Sequence, residues 1–195
     1  MSCSVFAAND QHKTYRENAN HLDVVLKKKE AESRTSLSGP EIKFPPMMKM
    51  NITTDIESLA FAPGGLLVGL KDNSRISFIH ETSENIFFFN SDYTLLEMYS
   101  DLFTKKLDEL NKKYGKYPET LVGMLDFKIA LPLLVATESG YFKNDDIAIY
   151  FMVADDHLEA FVFNARLPNQ LSRISSQGLQ GSEFLSLISN ISKVN

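Results

Sequence analysis

The sequence predicts an α+β protein, an antiparallel sheet of about five to six strands with helices packed on one face. Strand-like segments cluster within residues 58–89 and 146–165, and amphipathic helical segments lie between and after them. Strands grouped apart from helices are typical of an α+β fold, whereas a doubly wound α/β fold alternates them. A single domain is predicted over residues 51–195. Residues 1–50 are more polar and are predicted to form an N-terminal extension, partly helical or flexible.

The extension divides into three parts. Asn18–Ser33 has an apolar stripe at helical spacing, which is compatible with a helix. Residues 33–46 read as a linker or a strand-edge segment, because each proline restricts its predecessor to extended geometry. The methionines of residues 47–50 are expected to dock on the domain through their flexible side chains.

The domain is predicted to open with a meander of antiparallel strands. The strands are expected at Ser58–Ala62, Leu66–Leu70, Arg75–His80 and Ile86–Phe89. Gly64 and Gly65 supply the positive φ that a tight hairpin requires. Arg75–His80 alternates in the two-residue period of a strand. Ile86–Phe89 is apolar on both faces, which favours a central or covered strand.

Helices are predicted after the meander and at the C-terminal end. The clearest spans Ser91–Tyr114, where apolar residues recur at helical spacing and Gly115 suits the end of a helix. A short helix is expected over Pro118–Phe127 and a final one over Ser182–Val194. Ile129–Thr137 stays open between helix and strand, because a short apolar run does not reveal its period.

Composition argues against several classes of protein. The 195 residues carry a net charge of −5, and a nucleic-acid binder needs a basic surface to displace counterions from phosphates. The same charge suits a protein partner with a basic surface. The single cysteine, Cys3, excludes an internal disulfide framework. Because no signal-peptide pattern is present and the longest apolar run, Ile129–Ala136, is too short to span a bilayer, no membrane contact and a cytoplasmic location are expected.

The second predicted hairpin carries the densest set of chemically active side chains. Its strands are Asp146–Val153 and Glu159–Ala165. Carboxylates beside an imidazole can hold a divalent cation or act as acid and base. The candidate catalytic residues are therefore Asp155, Asp156, His157 and Glu159. Paired aspartates are also ordinary turn residues, and no second carboxylate pair or H-x-x-x-H motif supports a metal site, so no metal ligands are predicted.

His80 is a further catalytic candidate. It precedes Glu81 at the end of a predicted strand, and the two could act as a base with its orienting carboxylate. The alternative is a partly buried strand histidine, since His80 shares its face with Ile76 and Phe78. The sequence has neither a phosphate-binding P-loop nor a G-x-S-x-G elbow, and no cofactor is predicted.

Aromatic residues exceed what a small sheet with one wet face requires. The sequence has 14 phenylalanines and 7 tyrosines. They either fill a core covered on both faces or form part of an interface, where aromatic side chains are enriched. The candidate binding residues are Phe87, Phe88, Phe89, Tyr99 and Tyr150.

Three functions stay open. The first is a non-catalytic protein-binding protein, such as an inhibitor, an immunity-type protein, a chaperone or an adaptor; acidic charge, aromatic excess and the lack of catalytic motifs favour it. The second is a small hydrolase or nuclease-like enzyme that uses the Asp/His/Glu cluster with a divalent metal. The third is a self-associating structural subunit, which would form a homo-oligomer.

Overall fold

A seven-stranded antiparallel sheet dominates the fold. The computed structural model describes residues 19–29, 39–144, 146–155 and 157–194. The strands are β1 (Glu41–Phe44), β2 (Met48–Asn51), β3 (Ile56–Ala62), β4 (Gly65–Leu70), β5 (Arg75–Thr82), β6 (Glu138–Lys143), β7 (Ile147–Ala154), β8 (His157–Asn164), β9 (Gln170–Gln177) and β10 (Ser192–Lys193). The helices are the single turn α1 (Ala19–Leu22), α2 (Leu95–Thr104), α3 (Leu107–Tyr114), α4 (Pro118–Ala130) and α5 (Gly181–Ser189).

The predicted fold class is confirmed, with more strands than expected. The large sheet has the order β3-β4-β5-β9-β8-β7-β6, and a second antiparallel sheet has the order β1-β2-β10. Two meanders therefore make up the large sheet, and they join where β5 pairs with β9. Helices α2, α3 and α4 lie between the meanders in the chain. None of the helices in the described ranges has the length and apolar character needed to cross a membrane.

One face of the β6–β9 meander packs against α2, α3 and α4. Alternate side chains of β7 and β8 point towards these helices, among them the buried Tyr150, Phe161 and Phe163. The ring of Phe103 on α2 stacks on Tyr150 at a centroid distance of 5.3 Å. Tyr99 of the same helix contacts Phe161 and Phe163. Burial of these rings stabilises the layer by roughly 25 cal/mol per Å² of apolar area.

The opposite face of the large sheet is covered by α5 and the three-stranded sheet. Phe184 of α5 is buried there, and the ring of Phe44 on β1 lies 4.8 Å from that of Phe78 on β5. Met48 and Met50 of β2 are buried in the same layer. Strands β1 and β2 fall within the segment predicted as an N-terminal extension, and they contribute to this second core. The terminal helix thus lies across the sheet from the other three long helices.

The strand predicted over Ile86–Phe89 is wrong, because this segment forms a turn after β5. Phe88 is buried against Tyr99, whereas Phe87 is 73% exposed, so one ring anchors the segment. The amide of Phe89 donates to the carbonyl of Ile86 at 3.0 Å and closes the turn. A short apolar run indicates burial but does not determine the backbone conformation.

The single helix predicted over Ser91–Tyr114 is also a correction, because two helices occupy this segment. Lys105 and Lys106 have extended backbone angles and separate α2 from α3. Helix α3 folds back, and the Tyr114 hydroxyl donates to the Asp101 carboxylate of α2 at 2.9 Å. Both helices bury an apolar face against the core, so the helical spacing of apolar residues continues in the sequence across the break and suggests a single helix.

Three further segments differ in extent from the prediction. Ile129–Thr137 provides the last two residues of α4 and then a turn, rather than one regular element. The terminal helix ends at Ser189 and the chain enters β10 instead of continuing to Val194. The polar segment after Arg166 contains β9, a central strand of the sheet.

Candidate functional site

A cleft of about 350 Å³ lies between the end of α4, the turn after β5 and strands β5, β8 and β9. We call it the Glu159 cleft. Its polar side chains are Glu81, His157, Glu159 and Arg173, and its apolar wall includes Phe87, Phe88, Phe127 and Leu131. Small-molecule sites commonly have volumes of about 300–1,000 Å³, so the cleft has the size of a site for a small ligand.

Strand register explains why these polar side chains meet. His157 and Glu159 are two residues apart on β8, so both point to the helix-covered side of the sheet. Arg173 of β9 lies opposite Phe161, whose side chain is on that side. Glu81 of β5 pairs with a residue two positions from Arg173 and faces the same way. Three adjacent strands thus bring the four polar groups to one point.

Glu159 is the most buried charged group of the cleft, with a relative exposure of 1%. One of its oxygens accepts a hydrogen bond from Nε of Arg173, and the other accepts from Nε2 of His157 at 3.0 Å. The Arg173 guanidinium also lies 5.9 Å from the ring centroid of Phe161. A buried carboxylate requires such partners because its desolvation is costly. Glu159 therefore holds Arg173 and His157 in place and has no oxygen left without a partner.

Glu81 faces the same cleft, but its carboxylate lacks the partners that Glu159 has. Its carboxylate is half-buried, and among the described residues it has no hydrogen bond or ion pair. Burial raises the pKa of Glu81; the charge of Arg173 opposes this effect, and that of Glu159 adds to it. The ionised form of Glu81 consequently lacks a cation at hydrogen-bonding distance.

Tyr99 contributes a second polar group without a partner. Its side chain is fully buried, and its hydroxyl has no hydrogen-bond partner in the described structure. Burial raises the pKa of the hydroxyl far above its usual range, and Glu81, Arg173 and Glu159 also act on it. Tyr99 packs on Phe88 and Phe127, and it is not itself among the residues that line the cleft.

The apolar wall depends on a glycine of α4. A Cβ atom at Gly123 would lie 2.7 Å from the Cβ of Phe88 and 3.1 Å from a ring atom of Phe87. Only glycine lets the turn after β5 approach the helix so closely. The Phe88 ring also packs on Phe127 at a centroid distance of 5.4 Å. Helix and turn together form a rigid aromatic side to the cleft.

The predicted catalytic cluster is only partly brought together. His157 and Glu159 are in contact, whereas Asp155 is exposed in the turn between β7 and β8. Asp156 lies outside the described residues. The described chain has no group of three or more His, Cys, Asp or Glu side chains placed to hold a metal ion. No serine, threonine or cysteine in the described ranges lines the cleft.

His80 points away from this site. Consecutive residues of a strand face opposite sides of the sheet, so His80 faces the α5 layer and Glu81 faces the cleft. The ring nitrogen Nδ1 of His80 lies 3.2 Å from the carbonyl oxygen of Leu171. The proposed base with an orienting carboxylate is therefore wrong, because Glu81 cannot reach His80 through the sheet.

The predicted binding residues are spread over surface and core. Phe87 is exposed at the cleft wall and Phe89 is half-buried. Phe88, Tyr99 and Tyr150 are buried in the aromatic core. Of this set, Phe87 offers the largest surface to another molecule.

The free edge of the large sheet forms a second candidate site. β3 pairs with β4 alone among the described strands, and six of its seven residues are exposed. Phe61 is 79% exposed and Leu59 is 50% exposed. Ala62 and Gly65 form the hydrogen-bonded pair that closes the two-residue hairpin. In an antiparallel pair every second residue bonds to the partner strand, so the amides of Leu59 and Phe61 point away from β4. We call this surface the β3 edge.

The other edge of the sheet is covered. The amide of Lys29 donates to the carbonyl of Tyr141 on β6 at 2.9 Å, and the amide of Tyr141 donates to the carbonyl of Lys27 at 3.1 Å. Lys29 also forms an ion pair with Glu138 at 3.2 Å. An N-terminal segment thus occupies part of the β6 edge, whereas the β3 edge has no such cover in the described structure.

Sequence reasoning missed Arg173, Glu81 as a cleft residue, and the β3 edge. Arg173 lies in β9, whose polar composition resembles that of a linker. The partners of Arg173 and Glu81 lie on other strands, and no spacing along one segment reveals them. Ser58–Ala62 was correctly predicted as a strand, but its position at an edge depends on the order of all seven strands.

No protein-family model, no curated protein and no solved structure matches this chain.

Proposed function

We propose that this chain is a non-catalytic protein-binding protein, of the inhibitor, immunity-type, chaperone or adaptor kind, which binds an extended segment of its partner along the β3 edge. The observation that carries the proposal is the exposed apolar strand around Phe61. An unpaired edge offers main-chain donors and acceptors to an incoming strand, and pockets beside it select the side chains. The single cysteine supports a reducing, cytoplasmic setting.

Within the described ranges, most of the β3 edge lacks the devices that usually prevent strand pairing. Natural edges are protected by lysine, proline, bulges or covering segments. β3 contains neither lysine nor proline, and its one register shift lies at its start, between Ile56 and Ser58. Such an edge is a liability unless it has a partner. The exposed side chains of Leu59 and Phe61 and the outward-pointing amides of this strand therefore support a binding role.

The charges near the edge indicate the kind of partner. Glu57 is exposed on β3, and Asp72 is exposed in the turn after β4. Asp55 is paired with Lys71 at 2.7 Å, and Asp72 accepts a hydrogen bond from the amide of Ser74 at 2.9 Å, so Glu57 is the exposed acidic group on β3 itself. We expect a partner segment with apolar residues beside Leu59 and Phe61 and a lysine or arginine beside Glu57.

The test compares two phenylalanine substitutions at exposed positions. Tagged wild-type protein, Phe61→Lys and Phe87→Lys are used to capture partners from lysate of the source organism, with quantitative mass spectrometry and light scattering of the eluates. Phe61 and Phe87 are exposed to similar extents, 79% and 73%, so neither change should lower stability. We expect Phe61→Lys to weaken capture of a stoichiometric partner about tenfold or more, and Phe87→Lys to leave it unchanged.

The other outcomes contradict the proposal in different ways. Equal capture by Phe61→Lys would exclude the β3 edge, and loss of capture by Phe87→Lys alone would favour the turn after β5 instead. A wild-type dimer that Phe61→Lys converts to a monomer would identify a second copy as the occupant. The chain would then be a self-associating subunit.

A further inference from the structure

We infer that the Glu159 cleft binds a small organic cation, namely a primary amine or a similarly compact cation on an apolar, preferably aromatic, body. The inference is independent of the protein-binding proposal, because the cleft lies on the helix-covered side of β5, β8 and β9 and not at the β3 edge. It rests on the unpartnered Glu81 carboxylate, on the distribution of charge and on the aromatic wall.

One polar group that lines the cleft has no partner. The half-buried Glu81 carboxylate makes no hydrogen bond or ion pair with a described residue. Buried polar groups in folded proteins are nearly always paired, so each exception requires an explanation. A ligand with a hydrogen-bond donor would pair with Glu81, because a carboxylate accepts hydrogen bonds.

The charges of the cleft favour a cation over an anion. Glu159 already compensates Arg173 through Nε, and it also accepts from His157. Glu81 is therefore the carboxylate that lacks a counter-ion. An anionic ligand would lie beside two carboxylates and be repelled by them, whereas an ammonium group beside Glu81 would compensate the charge of that carboxylate.

The wall of the cleft suits an apolar body. Phe87 and Phe127 line it on the side of the turn and of α4, and Leu131 extends this surface. A cation near the face of an aromatic ring is attracted by the quadrupole of the ring. The volume of about 350 Å³ fits a ligand of one ring with a short side chain rather than a large cofactor.

The test uses two probes of similar shape and opposite charge. The full chain is titrated with phenethylamine and, separately, with phenylacetate, and binding is followed by ligand-observed NMR at neutral pH. We expect phenethylamine to bind at least about tenfold more tightly than phenylacetate. Glu81→Gln, which keeps the shape of the side chain, should weaken phenethylamine binding about tenfold or more. Glu84→Gln is the matched control, because Glu84 is exposed nearby and does not line the cleft.

The pH profile provides a second readout. The charged and titratable groups that line the cleft with Glu81 are Arg173, Glu159 and His157. Protonation of Glu81 removes the counter-charge, so affinity for phenethylamine should fall as the pH is lowered through its raised pKa. The Glu81→Gln variant should lose this part of the profile, which separates Glu81 from any effect of His157.

Three results would overturn the inference. Tighter binding of phenylacetate would show that Arg173, and not Glu81, selects the ligand. Equal phenethylamine affinity in wild type and in a folded Glu81→Gln variant would place the probe elsewhere. Absence of binding by both probes at millimolar concentration would show that the cleft is an ordinary solvent-filled surface.

Discussion

Removing one oxygen atom from each of two buried tyrosines should change stability in opposite directions. Tyr99 and Tyr114 are both fully buried. The Tyr99 hydroxyl has no partner, whereas the Tyr114 hydroxyl donates to the Asp101 carboxylate at 2.9 Å. We therefore expect Tyr99→Phe to stabilise the ligand-free protein and Tyr114→Phe to destabilise it.

The expected magnitudes follow from these contacts. A buried polar group without a partner costs about 1–3 kcal/mol, and the phenyl ring leaves only a small void, so Tyr99→Phe should raise the free energy of unfolding by about 1 kcal/mol. A hydrogen bond to a charged group contributes about 1.5–3 kcal/mol. Asp101 keeps its ion pairs with Lys105 and Lys113, and the loss in Tyr114→Phe should lie near the lower figure. The two variants should thus differ by about 2–3 kcal/mol.

The assay is urea unfolding followed by circular dichroism, in buffer without amines, so that no ligand fills the Glu159 cleft. The slope with urea should be unchanged in both variants, because neither alters the surface exposed on unfolding. The melting temperatures should shift by about 2–4 °C per kcal/mol in a chain of this size. A loss of more than about 0.5 kcal/mol in Tyr99→Phe would refute the reasoning, since it would show that the hydroxyl makes a stabilising hydrogen bond.

Two further substitutions test buried charges. Arg173→Gln should lower the free energy of unfolding by about 3 kcal/mol, because it leaves the Glu159 carboxylate buried without its cation. Arg166→Gln, at an exposed arginine, should change the free energy of unfolding by less than about 0.5 kcal/mol in the same urea titration. Equal effects of the two substitutions would contradict a stabilising role of the Arg173–Glu159 pair. Lys128 is fully buried, and burial lowers its pKa to about 8, with Asp23 acting in the opposite direction. Its folded pKa is thus below its unfolded value near 10.5, so wild-type stability should rise with pH between about 8 and 10.5 and be insensitive to this group below that window. Lys128→Met should be more stable than wild type at pH 7 by about 1–3 kcal/mol and should lose this rise, and a wild-type stability that is flat between pH 8 and 10 would contradict the assignment.

Local signals in the sequence located several elements of the fold. Gly64 has a φ of 74°, and the hairpin between β3 and β4 turns there as its glycine predicts. The turn residues between β7 and β8 predicted the second hairpin, although the predicted strand began at Glu159 and left His157 in the turn, whereas His157 begins β8. Such features depend on residues that are close in the chain, and their geometry follows from the period of the strand.

Features that depend on distant partners could not be predicted in this way. Leu171 and Ile174 are the two apolar residues of β9 and face opposite layers, so neither face of the strand has a repeated apolar residue that the sequence could reveal. Arg173 meets Glu159 only because β9 pairs with β8, and Glu81 joins them only because β5 pairs with β9. The cleft depends on the order of the strands in the sheet, and this order cannot be deduced from composition or from the spacing of residues.

The unequal edges of the large sheet limit how copies of this chain could assemble. If β3 of one molecule could pair with β6 of the next, the head-to-tail contact would repeat without closure and generate a filament. The main-chain bonds of Tyr141 to Lys27 and Lys29 occupy part of β6 and obstruct that contact. Self-association through the edges of the large sheet is then left with β3 joined to β3 about a two-fold axis, which ends at a dimer. The short segment on β6 therefore limits assembly through the edges of the large sheet to a dimer.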